Sequence, residues 1–141
     1  MTYLAEAMRQ RVRQRAGNRC EYCLSHQDYV LGQLQVDHAM PVAKGGTDTE
    51  DNLCLTCELC NQCKWTRTYG LDPASEEQVA LFNPRQDTLA EHFAWSEDGT
   101  EVVGLTPCGR ATVRILRLNN ALSSILLQAS GCSASKRKHA E

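Results

Sequence analysis

Two Cys-x-x-Cys pairs, Cys20-Glu21-Tyr22-Cys23 and Cys57-Glu58-Leu59-Cys60, bracket the dipeptide Asp37-His38 and the turn Asp51-Asn52. A Cys-x-x-Cys turn presents two thiolates to one ion, and two such turns complete a tetrahedral zinc shell. Four thiolates leave no open coordination position, so the zinc they bind is structural and contributes on the order of 10–16 kcal/mol of metal-coupled folding energy. Cys54, Cys57, Cys60 and Cys63 form a ladder of three overlapping pairs, and spacing alone does not choose the rung. Within the loop that the two pairs close, His38 is the candidate general base. A positioned imidazole, titrating near ~6.5 in general, can take a proton from water near neutral pH. Asp37 offers a hard oxygen to a second, catalytic divalent ion that stabilises charge on a phosphate. Taken alone, an Asp-His pair at a strand end reads first as a turn element; flanked by both cysteine pairs, it reads as hydrolytic.

The order Cys-x-x-Cys, Asp37-His38-x-x-Pro41, Gly45-Gly46, Asn52-Leu53, Cys57-x-x-Cys60-Asn61-x-x-Lys64 resembles the HNH endonuclease family, in its four-cysteine zinc subgroup. The resemblance selects Cys57 and Cys60 as the partners of Cys20 and Cys23, because that register alone sets Asn61 and Lys64 in the family's final positions. It implies that Asn52 holds the hairpin loop and orients the histidine. It also implies that Asn61, where many relatives have histidine, binds the catalytic ion with Asp37; magnesium or manganese suits such oxygen ligands. Lys64 becomes a phosphate or structural contact. DNA is the substrate that the resemblance implies, cut to 5′-phosphate and 3′-hydroxyl ends. Cys54, Cys63, Cys108 and Cys132 are then expected to be buried thiols, and His26, His92 and His139 have no motif context. Leu81-Phe82-Asn83-Pro84-Arg85 and Gly109-Arg110-Ala111-Thr112-Val113 look like the C-terminal extension of one subgroup of the family.

The elements that must position these groups follow from pattern. Residues 3–16 carry Leu4, Ala7, Met8, Val12 and Ala16 at roughly helical spacing among Arg9, Arg11, Arg13 and Arg15, with Gly17-Asn18 as a stop. This basic helix, extended by Arg19, is either a solvated cap on the zinc module or a phosphate-contacting surface. Gln33 to His38 alternates as a short strand ended by Pro41, Leu53-Cys54-Leu55 returns, and a helix runs from Cys57 to about Thr66. Strand, strand, helix is derivable without the family, and it agrees with the ββα-metal fold that the resemblance implies. The fold class is therefore α+β: a zinc-stapled ββα-metal core with the N-terminal helix and a C-terminal α/β extension. In the extension we expect a short helix from Asp72-Pro73 through Phe82 and a break at Asn83-Pro84. Beyond the break, residues 92–95 pair with 101–104 as a hairpin, and a helix starts at Thr106-Pro107 and runs to Leu118. Ala121 to Leu127 reads as a further helical or buried segment. The expected organisation is a core over 1–70, an extension over 71–129 packed on it, and a disordered tail over 130–141.

The 141-residue chain suits one domain, or a small metal-stapled module with an extension. Its charged N-terminus has no apolar signal core and no run approaches the ~20 apolar residues of a membrane span, so reduced thiols, metal and a cytoplasmic location are expected. With 15 Lys and Arg against 17 Asp and Glu, any basic footprint for nucleic acid must be local. Two rivals remain: a zinc-ribbon or treble-clef module that binds nucleic acid and cuts nothing, and a thiol redox protein. Intact Asp37, His38, Asn52 and Asn61 argue against the first; two pairs at zinc spacing and the absence of a βαβ context argue against the second.

Overall fold

The structure, a computed structural model, describes residues 4–119. The basic helix forms as α1 (Glu6–Arg15), and Gly17 and Asn18, at φ of 63° and 57°, turn the chain out of it. Its apolar stripe is narrower than the spacing suggests: Val12 is buried within the helix and Leu4 just ahead of it, whereas Ala7 is exposed. Arginines complete the docking. Arg13 Nη1 donates to the Leu34 carbonyl at 2.6 Å, and Arg15 donates to the carbonyls of Glu50 (2.9 Å) and Leu53. Guanidinium groups thereby satisfy backbone acceptors at the edge of the neighbouring hairpin, which would otherwise need water.

That hairpin pairs β1 (Gln35–His38) antiparallel with β2 (Leu53–Thr56), Gln35 opposite Thr56 and His38 opposite Leu53. All four residues of β2 are buried, so α1 and the rest of the core cover both of its faces. The tip between the strands is built from two single turns of 3-10 helix, Val42–Lys44 and Glu50–Asn52. Helix α2 (Glu58–Lys64) follows directly and is capped by the Cys57 sulfur, which accepts from Cys60 N at 3.4 Å. Strand, strand, helix is thus realised close to the expected bounds.

The extension departs from expectation at two places, first after Gly70 and again after the Asn83-Pro84 break. Instead of a helix from Asp72 to Phe82, the chain forms a hairpin, β3 (Tyr69–Leu71) against β4 (Gln78–Ala80). The cause is Asp72. Its carboxylate accepts from Ala74 N, Ser75 N and the Ser75 hydroxyl, and its backbone closes the turn with Glu76 and Glu77. A side chain that satisfies local N–H groups in a turn competes with helix formation. The buried Asp72 is also held by a two-pronged ion pair from Arg110, Nε to Oδ1 at 2.9 Å and Nη2 to Oδ2 at 2.8 Å. After the Asn83-Pro84 break comes α3 (Leu89–His92), a short helix with no counterpart in the sequence reading. The second expected hairpin forms as β5 (Phe93–Trp95) with β6 (Val102–Gly104). The last described helix, α4 (Pro107–Ile115), starts where expected, with the Thr106 hydroxyl accepting from Gly109 N at 3.0 Å. Ala121 to Leu127, Cys132, His139 and the tail lie outside the described residues.

One apolar cluster joins these parts, from Leu4 and Val12 through Tyr22, Leu53 and Leu55 to Phe82, Phe93, Leu116 and Leu118. Phe82 meets Tyr22 edge-on at 6.5 Å and Phe93 at 5.2 Å. Beside it Arg85 pairs with Glu21, whose other oxygen accepts from Leu55 N at 2.7 Å. Among the described residues no helix is long and apolar enough to cross a membrane.

The Arg110 contact, helped by Ser75 and Ala74, holds the Asp72 carboxyl well below the usual carboxylate range. A depressed folded-state pKa gives stability that is fully present above the unfolded value near ~3.9 and is lost progressively as the pH falls below it toward and through the folded value. Asp72→Asn is therefore expected to melt below the wild type at pH 7. The Tm difference should shrink as the pH drops below about 4, the ordinary carboxylate range; Tm measured across pH for both proteins checks this.

Candidate active site

Cys20, Cys23, Cys57 and Cys60 are all buried, and their sulfurs lie within 4.8 Å of one another. Two tight turns converge here: Cys23 N donates to Cys20 Sγ at 3.5 Å as Cys60 N does to Cys57 Sγ, and Cys23 Sγ stands 3.7 Å from Cys57 Sγ. Burial pushes the Cys20 thiol well up, whereas hydrogen bonding with Cys20 draws Cys23 well down and Cys57 down. Such a set is one that a divalent cation converts wholly to thiolate, and four sulfurs at this spacing fit a tetrahedral zinc. Of the other two rungs of the ladder, Cys54 is buried in β2 with its thiol pushed up to about 12 by desolvation. Cys63 sits half-exposed on α2 rather than buried as expected. Neither belongs to the cluster.

Beside the cluster a cleft of about 880 Å³ is lined by Asp37 and His38 from β1, Asn61 and Trp65 from α2 and its end, and Arg9 and Arg13 from α1. The hairpin brings Asp37 and His38 to the strand end, and α2 runs back so that Asn61 faces the same space. His38 Nε2 lies 2.7 Å from Asp48 Oδ1. An ionised carboxylate only accepts, so opposite a charged Asp48 the proton sits on Nε2, and in the neutral imidazole Nδ1 is the nitrogen left to accept.

Asn52 does not touch the His38 ring; it ties the hairpin tip. Its Oδ1 accepts from Met40 N at 2.9 Å, and its Nδ2 donates to the carbonyls of Met40 (3.0 Å) and Thr47 (2.8 Å). Both its amide hydrogens and its oxygen are engaged by the loop that carries Asp48. Gly46 is required at the same spot, because a Cβ there would lie 1.8 Å from the Met40 carbonyl oxygen. Lys64 lies beneath the site instead of on its surface: it is 3% exposed and donates to the Ala39 carbonyl at 3.3 Å. Burial draws its pKa down and Asp37 opposes this. Arg9 donates to the Leu4 carbonyl and Arg19 to the Leu24 carbonyl. Arg15 serves the hairpin edge, so Arg9 and Arg13 are the helix arginines placed at the cleft. His26 caps a 3-10 turn by accepting from Asp28 N.

Trp65 of the cleft and Asp48, the partner of His38, escaped the sequence reading. Asp48 sits in a Gly-Gly-Thr-Asp turn, where an aspartate needs no further explanation. Trp65 is 72% exposed at φ 48°, ψ −124°, a backbone state that a bulky residue rarely adopts. A lone tryptophan in the polar run 60–68 was its signal.

Residues 20–67 match the HNH endonuclease family. The chain matches no curated protein and no solved structure at a significant level.

The sulfur geometry sets an expected contrast between neighbouring rungs. Cys57→Ser should lose its zinc and its cooperative unfolding transition, whereas Cys63→Ser should keep both, as read by metal content of the reduced protein and thermal melting.

Proposed function

We propose, from the HNH endonuclease domain at residues 20–67, that this protein is a divalent-metal-dependent endonuclease acting on nucleic acid, most plainly DNA. The observation that carries the reading is the convergence of Asp37, His38 and Asn61 on one cleft beside the four-sulfur cluster, with His38 backed by Asp48. Asp37 and Asn61 supply a carboxylate and an amide oxygen, a hard donor pair that suits magnesium or manganese and leaves positions for water and phosphate. Bound there, the ion would neutralise charge on the phosphate and on the leaving oxygen.

The chain's own residues do the rest. His38 accepts the proton of the attacking water at Nδ1, while Asp48 stabilises the resulting imidazolium through Nε2, the division of labour familiar from histidine–carboxylate pairs. The water oxygen bonds to phosphorus as the bond to the 3′ oxygen breaks; the 3′ oxygen leaves as an alkoxide and takes a proton from solvent, giving a 5′-phosphate and a 3′-hydroxyl. Asn52 acts through the loop, fixing the segment that presents Asp48. Arg9 and Arg13 add positive charge at the cleft for the phosphodiester backbone, and the solvent-facing Trp65 offers a flat surface for an unstacked base. Buried Lys64 supports the strand end under Asp37.

His38→Ala is expected to lower plasmid nicking roughly 10²–10⁴-fold while zinc content and nucleic-acid binding persist. Binding by the wild type without any nicking in magnesium or manganese would instead make the domain a non-catalytic zinc module. Asn61→His should keep activity and shift the preferred ion toward nickel or zinc, because imidazole favours later transition metals; nicking assayed across a metal series reads this directly. Trp65→Ala should weaken binding of a single-stranded oligonucleotide by about 1–3 kcal/mol, measured by titration.

A further inference from the structure

We infer that Asp87, His92 and Cys108 form a second metal site, remote in sequence from the four-cysteine cluster, that takes a zinc-type divalent ion through one carboxylate oxygen, one ring nitrogen and one thiolate. The ligand atoms lie within 4.8 Å of one another and all three residues are half-buried. They come from three different segments: the turn after Asn83, the last residue of α3, and the first turn of α4.

Each is held in place by contacts independent of any ion. The Asp87 carboxylate accepts from Asn83 N and its own N–H donates to the Asn83 carbonyl, both at 2.9 Å, closing the 83–87 turn. His92 has Nδ1 at 2.6 Å from the Thr106 hydroxyl and packs edge-on against Phe82 and Phe93, which fixes the ring. A hydrogen bond that fixes the imidazole is the usual support of a metal-ligating histidine. Cys108 is delivered by a close backbone approach. A Cβ on Gly109 would fall 2.1 Å from the His92 carbonyl oxygen, and one on Gly104 would fall 2.4 Å from Arg110 N. Two glycines thus let the start of α4 settle onto the end of α3 and β6.

The donor set names the ion class. Sulfur and imidazole are poor partners for magnesium or calcium, and good ones for zinc and its neighbours. One carboxylate and one thiolate balance a double positive charge. Three protein ligands leave a fourth position for water, so this ion would exchange, unlike the one enclosed by four cysteines. Desolvation and the nearby Asp87 push the Cys108 thiol up to about 11, a cost of ionisation that a cation would offset. Because these ligands belong to the extension, the site stands or falls apart from the nuclease reading.

The test is a zinc titration of the full-length reduced protein carrying its first zinc, repeated with cobalt to read thiolate-to-metal absorption. The wild type should take up a second equivalent, and Cys108→Ser should retain the first zinc and the native circular dichroism yet bind the second more than about 100-fold more weakly. Asp87→Asn should weaken it too, and provides the reading if Cys108→Ser fails to fold. Saturation at one ion per chain overturns the proposal, as does a second equivalent that the variant binds with the same affinity and cobalt spectrum as the wild type.

Discussion

Closure of the chain between Cys20-Cys23 and Cys57-Cys60 is the constraint from which the rest of the architecture follows. The loop it closes has little regular structure beyond one short hairpin, and such a segment alone cannot bury enough apolar surface to offset its conformational entropy. Bringing four sulfurs within 4.8 Å fixes both ends at once, and the first turn of α2 is then oriented because Cys57 is both cluster member and helix cap. Asn61 lies immediately after Cys60, so a rotation of the sulfur cluster would carry Asn61 away from Asp37. Stability and the placement of the polar groups of the cleft are in this sense one property.

Around that staple the polar contacts divide into those that shape the cleft and those that lie in it. Asn52, Gly46 and Lys64 shape it, spending their hydrogen-bonding capacity or their lack of a side chain on the loop and the strand end. Asp37, His38, Asn61, Arg9, Arg13 and Trp65 line it. Arg15, drawn in sequence as part of a basic surface, belongs to the first group. Its guanidinium ends on two backbone carbonyls and does not line the cleft, whereas Arg9 and Arg13 each donate to one carbonyl and still line it.

The core was legible in the residues because its signals are local and mutually reinforcing: cysteine pairs at zinc spacing, period-two alternation before His38, a stop at Pro41, a helix after Cys57. What escaped was decided by contacts at a distance. Asp72-Pro73 looks like a helix start until Arg110 arrives from far along the chain and Ser75 closes the turn, and nothing in the local pattern reports Arg110. Asp48 is an unremarkable type in a loop, and only the fold sets it against His38, as it sets Trp65 at the cleft. His92 and Cys108 were passed over for the same reason, since they become neighbours through two glycine contacts.

Glu21 sits between the two halves of the cysteine motif and the extension: one oxygen accepts from Leu55 N and the other meets Arg85. Burial raises its pKa even though the Leu55 N–H and Arg85 both favour the charged form, and Arg85 is the part of that support that the extension supplies. A fragment ending near residue 70 would keep every residue of the HNH motif and still be a poor object to work with. It would leave an acid stranded beside the metal turn and strip Phe82 from Tyr22, baring that ring to whatever else is in the tube. Aggregation of such a fragment would then reflect a missing lid, and would carry no information about the chemistry of the cleft.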